Sequence, residues 1–189
     1  MFKENYNVIG VMSGTSLDGV DLAYIKFNNS GRWTFEIYQS ETIAYSDEWV
    51  EKLKNAIHFS TSELEELNID YTKLLASIIS DFISKHNLTE IDAICSHGHT
   101  ILHQPQNGLT LQIGNLPEIA TITNKTVVCD FRVQDVELGG QGAPLVPIGD
   151  RMLFSEYDYC LNLGGFSNVS FEENGKRIAD MLLGDKKDP

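Results

Sequence analysis

Nowhere in the 189 residues does an unbroken apolar run reach the ~18 residues that a membrane-crossing helix requires. The opening residues Met1-Phe2-Lys3-Glu4-Asn5 carry no apolar stretch of the kind a secretion signal uses, so a cytoplasmic protein is expected. Cysteine is scarce. Cys95, Cys129 and Cys160 are an odd number in apolar surroundings, which points to buried, reduced thiols and not to a disulfide framework. Basic side chains are few as well: 14 Lys and Arg stand against 27 Asp and Glu, for a net charge of −13. That balance argues against nucleic acid and against an anionic membrane as partners. It also repels a nucleotide at long range, so any phosphate site must be assembled from local amides, a metal ion and a few cations. Low-complexity tracts and long linkers are missing too. With 42% hydrophobic and 22% charged residues, there is material for one large domain, or for one domain plus the opening of a second.

What is present gathers first in Ile9-Gly10-Val11-Met12-Ser13-Gly14-Thr15-Ser16-Leu17-Asp18-Gly19-Val20-Asp21-Leu22-Ala23-Tyr24-Ile25. Asp18-Gly19 between two apolar, β-branched runs signals a hairpin. Gly14 and Gly19 keep side-chain bulk away from the tip, while Ser13, Thr15 and Ser16 add hydroxyl donors, a set that suits a phosphate group. Asp18 and Asp21 could hold a magnesium ion, directly or through water. The spacing mimics a P-loop, but Val20 stands where its lysine must be and a strand follows, so a Walker-type site is excluded. Two readings stay open from these residues: a phosphate loop, or a plain hairpin with a Ser-rich tip.

Farther along, residues 33–38 alternate as a third strand. Helical spacing covers 47–58 and 62–85, the second opened by a capping box of Ser62 and Glu65. Residues 91–98 read as a buried strand ending in the turn Ser96-His97-Gly98, and ligands bind just past such strand ends in open α/β sheets. A short strand at 110–115, a short helix at 116–123 and a buried strand at 126–132 complete the pattern, which from periodicity is mixed α/β.

The last of these strands is expected to deliver Asp130, Arg132 and Asp135 to the glycine-rich run Leu138-Gly139-Gly140-Gln141-Gly142. Arg132 can fork onto ether or acetal oxygens of a sugar or onto a carboxylate, and Asp135 can accept a hydroxyl or amide proton. The alternative is an Asp–Arg ion pair that ties down a loop. His97, His99 and His103 suggest a metal site at first sight, but no single backbone conformation turns all three to one face and a fourth ligand is missing, so zinc is not expected. A Ser–His hydrolase is not expected either, since no Gly-x-Ser-x-Gly elbow is present.

The run from Gly10 to Asp21 resembles the first phosphate loop of the anhydro-N-acetylmuramic acid kinases, members of the sugar kinase, Hsp70 and actin superfamily. Ser96-His97-Gly98-His99-Thr100 and the run from Asp130 to Pro147 are similar to the family's substrate-side segments. Cys160-Leu161-Asn162-Leu163-Gly164-Gly165-Phe166-Ser167-Asn168-Val169-Ser170 is similar to its second phosphate loop. The resemblance implies an α/β, ribonuclease H-like domain (actin/Hsp70/hexokinase type) over 1–158, with the opening hairpin of a second, similar domain over 159–189. It implies ATP and Mg2+ as cofactors, with phosphate contacts from Gly14, Thr15, Ser16, Leu17, Asp18, Gly19, Val20, Asp21, Gly164 and Gly165, and the metal at Asp18. Sugar contacts are implied for Ser96, His97, Gly98, Arg132 and Asp135.

Two departures from the family pattern stand out. Val133 and Gln134 occupy positions that are often basic or polar. The catalytic motif Phe-Asp-x-Gly-Pro-Gly-Asn is not matched, which leaves Asp180 as the candidate base, one position early. The implied reaction is hydrolysis of the 1,6-anhydro ring with phosphorylation of O6; the alternatives are a sugar- or nucleotide-binding half-module and a structural half that needs a partner chain. The inner face of the last hairpin makes self-association, as a homodimer, a further expectation, and this chain is not expected to turn over by itself.

Overall fold

In the first hairpin, β1 (Asn5–Ser13) and β2 (Val20–Asn29) pair antiparallel in unbroken register from Asn5 opposite Asn28 to Ser13 opposite Val20. The computed structural model describes residues 3–14, 16–143, 145–163 and 167–182. β3 (Trp33–Ile43) pairs with β2 and runs five residues past the expected strand. β4 (Ala93–Ser96) lies parallel to β1, and β7 (Val127–Val128) parallel to β4. The result is a mixed five-stranded sheet in the order β3-β2-β1-β4-β7.

Alternation sends Ile9, Val11, Val20, Leu22 and Ile94 to one face of this sheet, where all are buried. That face is covered by α2 (Thr61–Lys85), whose buried stripe is Leu67, Tyr71, Leu75, Ile79 and Phe82. α1 (Asp47–Asn55) adds Leu53 to the same core, and the expected helical continuation is a 3-10 turn at Ala56–His58. α2 starts one residue before the sequence reading, and its cap lies two residues earlier. Ser60 and Glu63 form the reciprocal capping box, although Ser62 and Glu65 fit the same pattern. Hydrophobic stapling decides between them: with Ser60 as cap, the flanking positions are Phe59 and Leu64, both packed against the core. With Ser62 they would be Thr61 and Glu66.

The strand expected over 126–132 is a correction. Pairing stops at Val128, because Asp130 takes a left-handed conformation (φ 60°) and turns the chain into α4 (Phe131–Glu137). Asn115 Nδ2 donates to Asp130 Oδ1 at 2.9 Å and holds that corner. β5 (His99–Gln104), not anticipated from the sequence, pairs with β6 (Leu109–Ile113) in a separate antiparallel ribbon. α3 (Glu118–Thr123) follows Pro117 as expected.

α5 (Pro147–Leu153) was missed, since Val146 offers no capping side chain; the available signal was Pro147 at the first helical position. β8 (Tyr159–Asn162), β9 (Ser167–Glu173) and β10 (Lys176–Leu182) form a second, antiparallel sheet. Its β9–β10 turn is Asn174-Gly175, both at positive φ, the pair that a tight two-residue hairpin favours. α5 is bound to this sheet through Ser170, whose hydroxyl donates to Asp150 at 2.5 Å and accepts from Arg177 Nε at 3.1 Å.

The three thiols are partly exposed, not buried as expected. Burial still pushes the Cys95 thiol up, and burial together with Asp130 raises Cys129 to about 11, so both are protonated and unreactive near neutrality. Among the described residues no helix is long and apolar enough to cross a membrane.

His99 is 3% exposed against Tyr71, and burial lowers its pKa to about 4. A depressed histidine binds its proton more readily in the unfolded chain, so stability falls as pH drops below the unfolded value near 6.5. Between pH 7 and pH 5 this one residue is expected to cost about 2 kcal/mol. Urea unfolding at the two pH values checks it; a His99→Phe variant with the same pH dependence as the parent would show that another group is responsible.

Candidate functional site

The face of the central sheet opposite α2 carries Gly10, Met12, Asp21, Ala23 and Cys95, and these form the floor of a cleft of about 1100 Å³. His97 and Arg132 close one end; Val146, Ile148 of α5, and Asn162 and Asn168 of β8 and β9 form the opposite wall. The cleft therefore lies over the C-terminal halves of β1 and β4, and only His97 is contributed from just past a strand end, where open α/β sheets place their ligands.

The first hairpin lines this cleft through Met12 and Asp21, on either side of its tip. Leu17, at φ 57°, packs against the core, and its amide donates to the Gly14 carbonyl at 3.3 Å. Ser16 Oγ donates to Asp18 Oδ1 at 2.6 Å, which holds the fully exposed Asp18 carboxyl below its usual range. Val20 is wholly buried, so only its backbone can face a ligand. Asp21 points to the cleft floor and accepts from the Thr42 hydroxyl at 2.5 Å, a partner the sequence reading did not find. Thr15, Gly164 and Gly165 lie outside the described residues.

Beside the hairpin, the His97 amide donates to the Val11 carbonyl at 3.0 Å and seats the turn after β4 next to β1. His97 Nε2 lies 3.2 Å from Arg132 Nη2, and its Nδ1 lies 2.9 Å from the Gly98 carbonyl. Burial, with Arg132 adding to it, lowers the pKa of this imidazole, while Gly98 opposes the shift. Arg132 is half-buried and lowered by burial, and among the described residues no carboxylate lies within ion-pair distance of it. Its Nε is buried without a partner. A desolvated guanidinium with free donors is a ready binding group for ligand oxygens.

Asp135 does not form the ion pair considered from sequence. One turn farther along α4, its carboxylate accepts from the Gly142 amide at 2.6 Å and fixes the glycine-rich loop. Ser96 is fully buried on the α2 side, so the structure does not bring its hydroxyl together with His97 and Arg132. Asn115, another residue not singled out from sequence, reaches both the His97 carbonyl (3.5 Å) and Asp130. The backbone of Asp180 pairs with Val169 on β9; its side chain lies outside the described residues. No group of three His, Cys, Asp or Glu side chains among the described residues is arranged to hold a metal.

The sequence model of the family described as anhydro-N-acetylmuramic acid kinase matches residues 6–181. The chain belongs to that family. A kinase of this name from Pseudomonas fluorescens (strain Pf0-1) is 40% identical over 184 residues, covering 93% of this chain and 50% of the relative. One from Colwellia psychrerythraea is 39% identical over 176 residues, covering 86% and 43%. One from Pseudoalteromonas translucida is 37% identical over 196 residues, covering 92% and 48%. The chain thus spans about half the length of the curated relatives it matches. A solved RuvC structure from Thermus thermophilus aligns at a TM-score of 0.31 and 11% identity over 79% of this chain and 80% of that one, too low to bear on the fold.

Proposed function

We propose that this member of the anhydro-N-acetylmuramic acid kinase family supplies the first phosphate loop and the sugar-facing wall of an ATP-dependent sugar kinase. The reaction is hydrolysis of a 1,6-anhydro-N-acetylmuramic acid ring coupled to phosphorylation of O6, a step of cell-wall recycling in the cytoplasm. The observation that supports it most is one cleft that places the free Arg132 guanidinium and His97 beside the root of the first hairpin. The strand order 3-2-1-4-7, antiparallel then parallel, is also the arrangement a ribonuclease H-like domain over 1–158 needs, with 159–189 opening a second domain.

In this reading a water oxygen bonds to C1 of the sugar, the C1–O6 bond breaks, and O6 takes the γ-phosphoryl group of ATP as ADP leaves. A carboxylate accepts the water's proton, and Asp180 is this chain's candidate. Arg132 donates N–H groups to ring or acetal oxygens, holding the sugar at the end of the cleft. The walls exclude bulk water, and phosphoryl transfer then depends mainly on positioning and charge. Asp18 is an exposed carboxylate with one oxygen on Ser16, a donor set that suits a water-mediated hold on magnesium brought in with ATP. Bound there, the ion offsets phosphate charge.

Asp18→Asn is expected to lower magnesium-dependent kcat/KM for ATP about tenfold in the full-length protein. Magnesium titrations of initial rate check this; unchanged kinetics would remove Asp18 from the site.

A further inference from the structure

A hydrogen-bonded chain runs from the root of the first hairpin to the guanidinium in the cleft. Ser13, the last residue of β1 and 3% exposed, donates its hydroxyl to the Gly98 carbonyl at 3.1 Å. Arg132 has donors only, so at the 3.2 Å contact its Nη2 donates and His97 Nε2 accepts. In the neutral ring the proton is then on Nδ1, and Nδ1 donates to the same Gly98 carbonyl at 2.9 Å. Gln112 Nε2, 3.4 Å from Nδ1, adds no competing bond, since with the proton on Nδ1 both nitrogens are donors; Gln112 donates instead to Thr100 Oγ1 at 3.0 Å. Every donor and acceptor in the series is therefore assigned: Ser13 to Gly98, His97 to Gly98, Arg132 to His97. The Val11 carbonyl, which accepts the His97 amide, fixes the same turn to β1 from the backbone.

We infer that Ser13 and His97 are positioning residues that couple the first hairpin to the neighbouring arginine, so that phosphates seated on the loop after Ser13 hold Arg132 in its sugar-receiving orientation. This rests on the kinase reading above. Arginine loses much rotamer freedom when it binds, and a fixed acceptor removes part of that loss beforehand. The Ser13–Gly98 bond is buried and the His97 and Arg132 contacts are partly buried, where an unmade bond is costly, so the chain transmits a shift of the loop and does not absorb it.

The test is calorimetry on the full-length protein with 1,6-anhydro-N-acetylmuramic acid, in the presence and absence of a non-hydrolysable ATP analogue. The analogue is expected to tighten sugar binding about tenfold, within the usual range for coupled sites. Ser13→Ala should bring that ratio below twofold. His97→Gln, which keeps a donor and an acceptor, should retain it, and His97→Phe should not. Nitrogen-15 NMR of the wild-type histidines reads the tautomer without any variant, and is expected to show His97 protonated on Nδ1. An Nε2-protonated His97, an uncoupled wild type, or an unchanged ratio in Ser13→Ala each overturns the coupling while leaving the kinase reading intact. A wild type that binds neither ligand overturns the kinase reading and the coupling with it.

Discussion

Replacing Arg132 with alanine is expected to weaken sugar binding about 100-fold, roughly 2.7 kcal/mol, while the affinity for an ATP analogue changes less than threefold. The size follows from charge-assisted hydrogen bonds in a partly desolvated site, each worth ~1.5–3 kcal/mol. Arg132 is suited to that role because no carboxylate among the described residues neutralises it and because His97 holds one of its nitrogens at 3.2 Å. Arg132→Lys should recover little, since an ammonium lacks the planar fork and cannot meet His97 and a ligand in the same geometry. Calorimetry with each ligand separately decides: equal losses for sugar and nucleotide would make α4 a general support and remove Arg132 from the sugar site.

Gly19→Ala is expected to destabilise the fold by about 3 kcal/mol or more, the range for strain and overpacking combined. A Cβ at Gly19 would stand 2.3 Å from the Ile43 carbonyl oxygen and 2.9 Å from its carbon. These are backbone atoms at the end of β3, where Val20 pairs with Ile43, so neither strand can move aside without breaking the ladder. Relief by rotating the hairpin tip would displace Asp18 and Leu17, and Leu17 packs against the core. Urea unfolding gives the stability change; a loss under 1 kcal/mol would show that the tip adapts and that its geometry is not fixed by β3.

Much of the fold was legible because its signals are local. The Asp18-Gly19 hairpin, the third strand and the long apolar stripe of α2 each repeat one period over many residues. Where two local signals compete, tertiary contact decides, as when Phe59 and Leu64 select Ser60 over Ser62 as the cap. The helix at 131–137 was hidden because it is short and follows a β-branched run, and the turn depends on one residue, Asp130, held from 15 positions away by Asn115.

The site was readable as a set of residues but not as an arrangement. His97 and Arg132 were both candidates, and the structure places them in contact. Asp135 was a candidate for the same reason as Arg132, yet its carboxylate is used by the Gly142 amide. No spacing rule separates the two, because the direction of a side chain on a seven-residue helix depends on what packs around it.

The most direct test is a coupled assay on the full-length protein with magnesium-ATP, the anhydro-sugar and oxygen-18 water. The proposed activity predicts ADP release that depends strictly on the sugar, and a product that carries one phosphate on O6 and one oxygen-18 at C1. ADP release without the sugar, or a phosphorylated product with no oxygen from water, would contradict it.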